Sequence, residues 1–251
     1  MTAELPPFDA NYREVTRMTS YEPVSGIVLA GGRSRRMGGL DKRWAIVDGR
    51  SLLERAIRSL QHWCDEVLVV AALGEELTLA VPGVRVVNDR FAAGPLGGLE
   101  AGLRSMRSPC AVVVACDMPF LDSRLLQHLS RLCDGYDAVV PIWDKHSQPL
   151  HAVYAASCLE VIDKLLGGQV VPALNDLLGE LSVRFVGADE LQPFLVSLAS
   201  FTNINTQNDL AAARAMSRKQ PDAADASVNG PSSPPPQASP VALRRRNHSF
   251  E

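Results

Sequence analysis

Four short apolar runs constrain this chain most: GIVLAG at 26–31, EVLVVA at 66–71, VRVVN at 84–88 and CAVVVAC at 110–116. Each is near-continuous and β-branched, the pattern of strands buried on both faces. Helical patterns lie between them. Ser51 and Glu54 have capping-box spacing ahead of Leu52, Leu53, Ala56, Ile57, Leu60 and Trp63, which recur at helical intervals. Asp122 stands as an N-cap before Leu125, Leu126, Leu129 and Leu132, and Thr206 with Asp209 repeats the capping logic before Leu210 and Ala213. This alternation predicts an α/β fold of three layers, a mostly parallel sheet with helices on both faces. Ligands of such sheets bind beyond the carboxyl ends of the strands, so chemistry is expected in the loops after Leu29, Val87 and Ala115.

Composition narrows the setting. The chain has 251 residues, 46% of them hydrophobic, enough to bury a real core. No apolar run reaches the length of about 18 residues that a membrane span requires. A formal charge of -3 offers no general attraction to nucleic acid or anionic lipid, so any anion site must be local. The five cysteines never occur as CxxC, which suggests neither a disulfide framework nor a zinc site and fits a reducing cytoplasm. Residues 1–24 lack the basic start and apolar core of a signal peptide and are expected to form a flexible leader. Residues 25–216 are expected to form the folded domain, and 217–251 a Pro/Ser-rich disordered tail whose RRR at 244–246 is a solvated charge run.

The first of these loops is crowded with charge. GIVLAGGRSRRMGGLDK at 26–42 runs from a strand into a glycine pair, then places Arg33, Arg35, Arg36 and Lys42 in one connection. Four cations so close call for an anion or for solvent. Glycines let backbone N–H groups approach phosphate oxygens. Neither common phosphate motif fits. A P-loop needs lysine directly after its last glycine, whereas Gly39 is followed by Leu40, Asp41 and then Lys42; the GxGxxG spacing is absent as well.

The extended pattern is LAGG, Ser34, Arg36-Met37-Gly38 and Lys42, directly after the first buried strand. It resembles the signature of nucleotidyltransferases of the nucleoside-triphosphate transferase type, most closely the molybdenum cofactor guanylyltransferases. The resemblance implies a Rossmann-like nucleotidyltransferase fold in which Leu29, Ala30 and Gly31 line the guanine side while Lys42 and Arg36 address phosphates. NDRFAAGPLGGL at 88–99 is similar to the family's aspartate-then-GPLxG element, which makes Asp89 a nucleotide-site residue shaped by Gly94, Pro95, Leu96, Gly97 and Gly98.

CAVVVACDMPFL at 110–121 ends a buried strand in a carboxylate followed by proline, which projects charge into the crevice. Magnesium takes oxygen ligands, commonly one or two carboxylates plus substrate phosphates. Asp117 is therefore the expected Mg2+ ligand, as the resemblance also implies. Cys116 beside it reads as a small buried filler, since no histidine neighbours it. TNINTQNDL at 202–210 resembles the family's NxNTxxxL element, where a late Asp or Asn supplies a second metal contact, so Asn203 or Asn205 is the candidate. QPLHAVY at 148–154 resembles an acceptor-side strand, which would face Gln148, His151 and Tyr154 toward the pterin. The histidines form no ligand cluster. EVLVVAA departs from some relatives, offering Val70, Ala71 and Ala72 where they place an asparagine for the nucleotide.

The resemblance covers residues 25–215 and implies transfer of GMP from GTP to molybdopterin carrying molybdenum, with pyrophosphate released. GTP and Mo-molybdopterin are the expected substrates, with a molybdoenzyme or its chaperone as a further partner and neither nucleic acid nor membrane. Two alternatives stand. The sister cytidylyltransferases usually carry LAAG and lack a clear GPLGG; a non-catalytic adaptor would be expected to have lost Lys42 or Asp117.

Overall fold

The computed structural model describes residues 23–31, 41–168 and 173–218. Along the chain come β1 (Val24–Leu29), a 3-10 turn (Lys42–Trp44), β2 (Ile46–Val47), β3 (Arg50–Ser51), α1 (Leu52–Gln61), β4 (Glu66–Ala71), β5 (Val84–Asn88) and α2 (Gly94–Ser105). Then follow β6 (Cys110–Ala115), α3 (Ser123–Arg131), β7 (Ala138–Trp143), β8 (His146–Ser147), β9 (His151–Ala155), α4 (Cys158–Leu166) and α5 (Leu174–Glu180). The last elements are β10 (Val183–Val186), α6 (Ala188–Leu191), a 3-10 segment (Gln192–Phe201) and α7 (Gln207–Ser217). Most of the leader, the loop at 32–40 and the tail from 219 lie outside the described residues.

The main sheet has the order β10-β7-β9-β6-β1-β4-β5, with β8 paired to β7. β6, β1, β4 and β5 run parallel to one another, and β10 is parallel to β7. β9 runs antiparallel to both β6 and β7, so the sheet is mixed as well as mostly parallel. Strand β1 sits between β4 and β6, and successive side chains feed two cores. Val24 and Val28 pack with Leu53, Ile57 and Leu60 of α1 and Leu125, Leu126 and Leu129 of α3. Ile27 and Leu29 pack with Leu96, Leu99 and Leu103 of α2 and with residues of α4 and α5 on the other face. The expected three layers follow.

The expected caps form. Ser51 Oγ accepts from Glu54 N at 3.2 Å, and Asp122 Oδ1 from Arg124 N at 2.8 Å. Thr206 and Asp209 form a reciprocal capping box. Among the described residues, no helix is long and apolar enough to cross a membrane.

Helix α2 lies close on β1, and its glycines permit this. A Cβ built at Gly102 would stand 2.8 Å from Ile27 Cγ2, inside van der Waals contact with a stiff β-branched side chain. Gly102→Ala should therefore overpack this seam and destabilise the fold by about 1–3 kcal/mol, which urea unfolding followed by circular dichroism would register as a lower midpoint; an unchanged midpoint would mean that α2 is free to shift.

Candidate active site

The strand order reverses beside β1. The chain goes outward from β1 to β4 and β5, then returns to β6 on the other side of β1. Open α/β sheets bind ligands at the carboxyl ends of strands next to such a switch point. Backbone bonds continue past the strand ends there: Cys116 N donates to the Leu29 carbonyl at 3.1 Å, and Ala30 N to the Val70 carbonyl at 2.9 Å. Asp117 follows directly.

Two residues read separately from the sequence meet at this point. The Lys42 ammonium, on the 3-10 turn after the first loop, pairs with Asp117 Oδ2. Their side chains are 21% and 14% exposed, so the pair is screened from water on most sides. Among the described residues, Asp117 Oδ1 is buried without a hydrogen-bond partner. An unmet buried polar atom costs roughly 1–3 kcal/mol, and this oxygen offers an open acceptor at the switch point. A carboxylate oxygen so placed fits a magnesium ion, whose shell substrate phosphates would complete. No group of three His, Cys, Asp or Glu side chains suited to a metal occurs among the described residues, so this donor set is not an all-protein cage.

The late asparagines are drawn to the same place. Ile204 N donates to the Asp117 carbonyl at 2.9 Å, while the Ile204 side chain is fully buried with Val47, Leu52, Leu210 and Ala213. Asn203 and Asn205, on either side of it, are exposed. The Asn205 backbone N–H is taken by Asp209 Oδ2 at 2.9 Å.

Leu29 and Ala30 are buried, so what they offer a ligand is main chain; Gly31 is exposed. Asp89 caps its own turn, with Oδ1 accepting from Phe91 N at 2.8 Å and Ala92 N at 3.2 Å. A Cβ at Gly97 would stand 2.6 Å from that oxygen, which explains a glycine there: α2 packs directly on the carboxylate. Arg36, with Arg33 and Arg35, lies outside the described residues. Burial pushes the Cys116 thiol up to about 12, with Asp117 adding to the rise, so it is a filler and not a thiolate.

A network that the sequence reading missed borders the site. Arg43 donates through Nε and Nη2 to Asp41 and through Nη2 to Glu75 Oε1 at 2.5 Å. Burial opposes its charge, but the hydrogen bonds to Asp41 and Glu75 outweigh this and raise its pKa. Asn88 Nδ2 donates to the carbonyls of Ala72 and Glu75. Such pairing between loops leaves no periodic trace in a sequence.

Residues 26–183 match the family model of the MobA-like NTP transferase domain. The chain is 36% identical over 197 residues to a probable molybdenum cofactor guanylyltransferase of Methanosarcina acetivorans, covering 74% of this chain and 88% of that one. It is also 36% identical over 203 residues to the molybdenum cofactor guanylyltransferase of Desulfosudis oleivorans, covering 77% and 96%. The solved structure of molybdopterin-guanine dinucleotide biosynthesis protein A from Archaeoglobus fulgidus superposes with a TM-score of 0.68 at 28% identity, covering 78% of this chain and 100% of that one. A 4-diphosphocytidyl-2C-methyl-D-erythritol synthase from Anaerococcus prevotii, at 17% identity and a TM-score of 0.60 over 78% and 96% of the two chains, shares the fold alone.

The pterin-side expectation needs correction. His151 and Tyr154 point to opposite faces of β9 and both are fully buried, with the Tyr154 hydroxyl donating to the Pro149 carbonyl at 2.9 Å. Only Gln148 retains exposure. His151 packs against Phe201 at 4.7 Å between ring centres, and burial lowers its pKa from 6.5 to about 3 despite the nearby charge of Asp122. Between those values the unfolded chain takes up a proton that the folded one refuses, so stability falls as pH drops through that window. His151→Leu should flatten the loss relative to wild type by up to about 1.4 kcal/mol per pH unit, measured as unfolding free energy against pH; parallel curves would remove His151 as the cause.

Proposed function

The chain belongs to the MobA-like NTP transferase family, and from that premise we propose that it transfers GMP from GTP to the phosphate of molybdopterin carrying molybdenum. The products are the molybdopterin guanine dinucleotide cofactor and pyrophosphate. The observation that carries the reading is the Lys42–Asp117 pair at the switch point, with a buried Asp117 oxygen left unmet.

An acceptor phosphate oxygen attacks the α-phosphorus of GTP; the new P–O bond forms as the bond to the β-phosphate oxygen breaks, and its electron pair leaves with pyrophosphate. The attacking oxygen is already anionic and needs no general base. The chain's task is to bring two anions together, which is positioning and electrostatic stabilisation. Lys42 supplies a compact charge for the phosphates, and Arg36 a planar fork. Asp117, with Asn205 or Asn203 beside it, would hold magnesium, which neutralises charge on phosphate oxygens. Gly31 and the main chain of Leu29 and Ala30 border the guanine side, with Asp89 shaping the adjoining turn. The reaction is assigned to the cytoplasm, with a molybdoenzyme or its chaperone receiving the product.

The deciding experiment is magnesium-dependent turnover of GTP against CTP with molybdenum-loaded molybdopterin. GTP should be preferred; preference for CTP would convert the reading to a cytidylyltransferase, and no turnover with either would favour an adaptor. Asp117→Ala should abolish transfer while the protein stays folded. Lys42→Ala should lower the rate by ~10²–10³, as for loss of one donor to developing charge; near-normal rates in either folded variant would remove that residue from the machinery.

A further inference from the structure

We propose that Arg43 is a positioning residue for the nucleotide: through Asp41 and Glu75 it holds the Ala72 main chain against Gly31, fixing the base-side wall of the site. The inference rests on the nucleotidyl-transfer reading and extends it to a residue outside the matched motifs.

The links can be followed atom by atom. Asp41 caps the 3-10 turn, its carboxylate accepting from Arg43 N at 3.1 Å, from Nε at 2.9 Å and from Nη2 at 2.6 Å. Nη2 also reaches Glu75 Oε1, while the other carboxylate oxygen, Oε2, accepts from Ala72 N at 3.3 Å. The Ala72 carbonyl accepts from Glu75 N at 3.1 Å, closing a turn whose third residue, Gly74, has φ +72. Asn88 Nδ2 donates to the same carbonyl at 3.0 Å and to the Glu75 carbonyl at 2.7 Å. Both polar groups of Ala72 are thereby fixed from outside its own strand.

Ala72 lies opposite Gly31. A Cβ built on Gly31 would stand 3.5 Å from Ala72 N and 3.6 Å from Ala72 Cα, in ordinary contact. The gap between these two stretches of main chain is thus no wider than a methyl group, so a ligand would lie across both and not between them. Val70 and Ala71 are buried and no polar side chain occupies positions 70–72, so base contacts on this wall come from main chain. Main-chain recognition discriminates only if the backbone is held in place. The network ties the carboxyl ends of β4 and β5 to the 3-10 turn, on which Arg43 adjoins Lys42. Lys42 is held separately by its pair with Asp117, so loss of the network should loosen the wall more than the cation. Lysine cannot replace this arginine, because the fork grips Asp41 with two nitrogens while bridging to a second carboxylate.

The full chain is assayed as wild type, Arg43→Ala, Arg43→Lys, Glu75→Gln and the Arg43→Ala/Glu75→Gln double variant. The readouts are kcat, KM for GTP and the ratio of kcat/KM for GTP over CTP, with melting midpoints as a fold control. Arg43→Ala and Glu75→Gln should each raise KM for GTP and narrow the GTP:CTP ratio, about tenfold for a displaced positioning contact, with kcat changed much less. Lysine should restore little, and the double variant should be no worse than Arg43→Ala. Unchanged KM and ratio in folded variants, or additive losses, would overturn the proposal. If Arg43→Ala does not fold, Glu75→Gln carries the same comparison. If wild type transfers neither nucleotide, the transfer reading fails by itself, and calorimetric dissociation constants for GTP and CTP then test the wall: a narrowed ratio in Glu75→Gln supports positioning, whereas an unchanged ratio, or no binding by wild type, overturns it.

Discussion

Strand β1 is buried on both faces and hydrogen-bonded on both edges, and that constraint organises the rest. Its side chains alternate between two separate cores, so a shift of one residue would exchange the two sets. Its edges belong to β4 and β6, reached by the chain from opposite directions. The carboxyl ends of β1 and β6 therefore border a common opening, and Cys116 bonding to Leu29 fixes their separation. Residues 75 positions apart in sequence, Lys42 and Asp117, are brought into contact by that arrangement. The site follows from the position of one strand.

The parts of the fold that were legible in the sequence have local causes. EVLVVA coincides with β4, buried at every position, because burial on both faces imposes a composition on each residue independently. VRVVN coincides with β5, but that strand lies at the sheet's edge and is only half-buried, so its β-branched run reflects strand preference and not the expected burial on both faces. Ser51, Asp122 and Thr206 announce helices because a cap needs one side chain at a fixed offset. The first strand begins at Val24, ahead of its most apolar stretch, since pairing with β6 and not hydropathy sets its start. Asp117 was found for the same local reason, as a carboxylate at the end of a buried strand. What stayed hidden depends on two or more segments at once. His151 and Tyr154 sit on a strand with β-sheet neighbours on both sides and helices over both faces, which no pattern within QPLHAVY reveals. The Arg43–Glu75 bridge spans two loops whose spacing only the finished sheet determines.

Glu66 and Asp117 show how one chain uses the two ends of a sheet differently. Glu66 opens β4 and is almost fully buried, yet its oxygens accept from Ser25 Oγ at 3.0 Å, Arg107 N at 2.6 Å and Arg85 Nη2 at 2.7 Å. Burial opposes its charge, but hydrogen bonds from Arg85, Arg107 and Ser25 outweigh this and hold the carboxyl below its usual range. Its bonding is completed within the protein, as suits a group that only stabilises. Asp117, at the opposite strand end, has one oxygen paired to Lys42 and the other buried and unmet. A carboxylate left in that state adds less to stability than a satisfied network like that of Glu66, because its unmet oxygen costs free energy. Lys42 makes the arrangement tolerable without substrate. Its ammonium ends a flexible stem and supplies a counter-charge that triphosphate and metal would divide between them on arrival. On the proposed reading, the cation would pass to the phosphates and the carboxylate to the metal, so that neither charge would be left buried alone during the exchange.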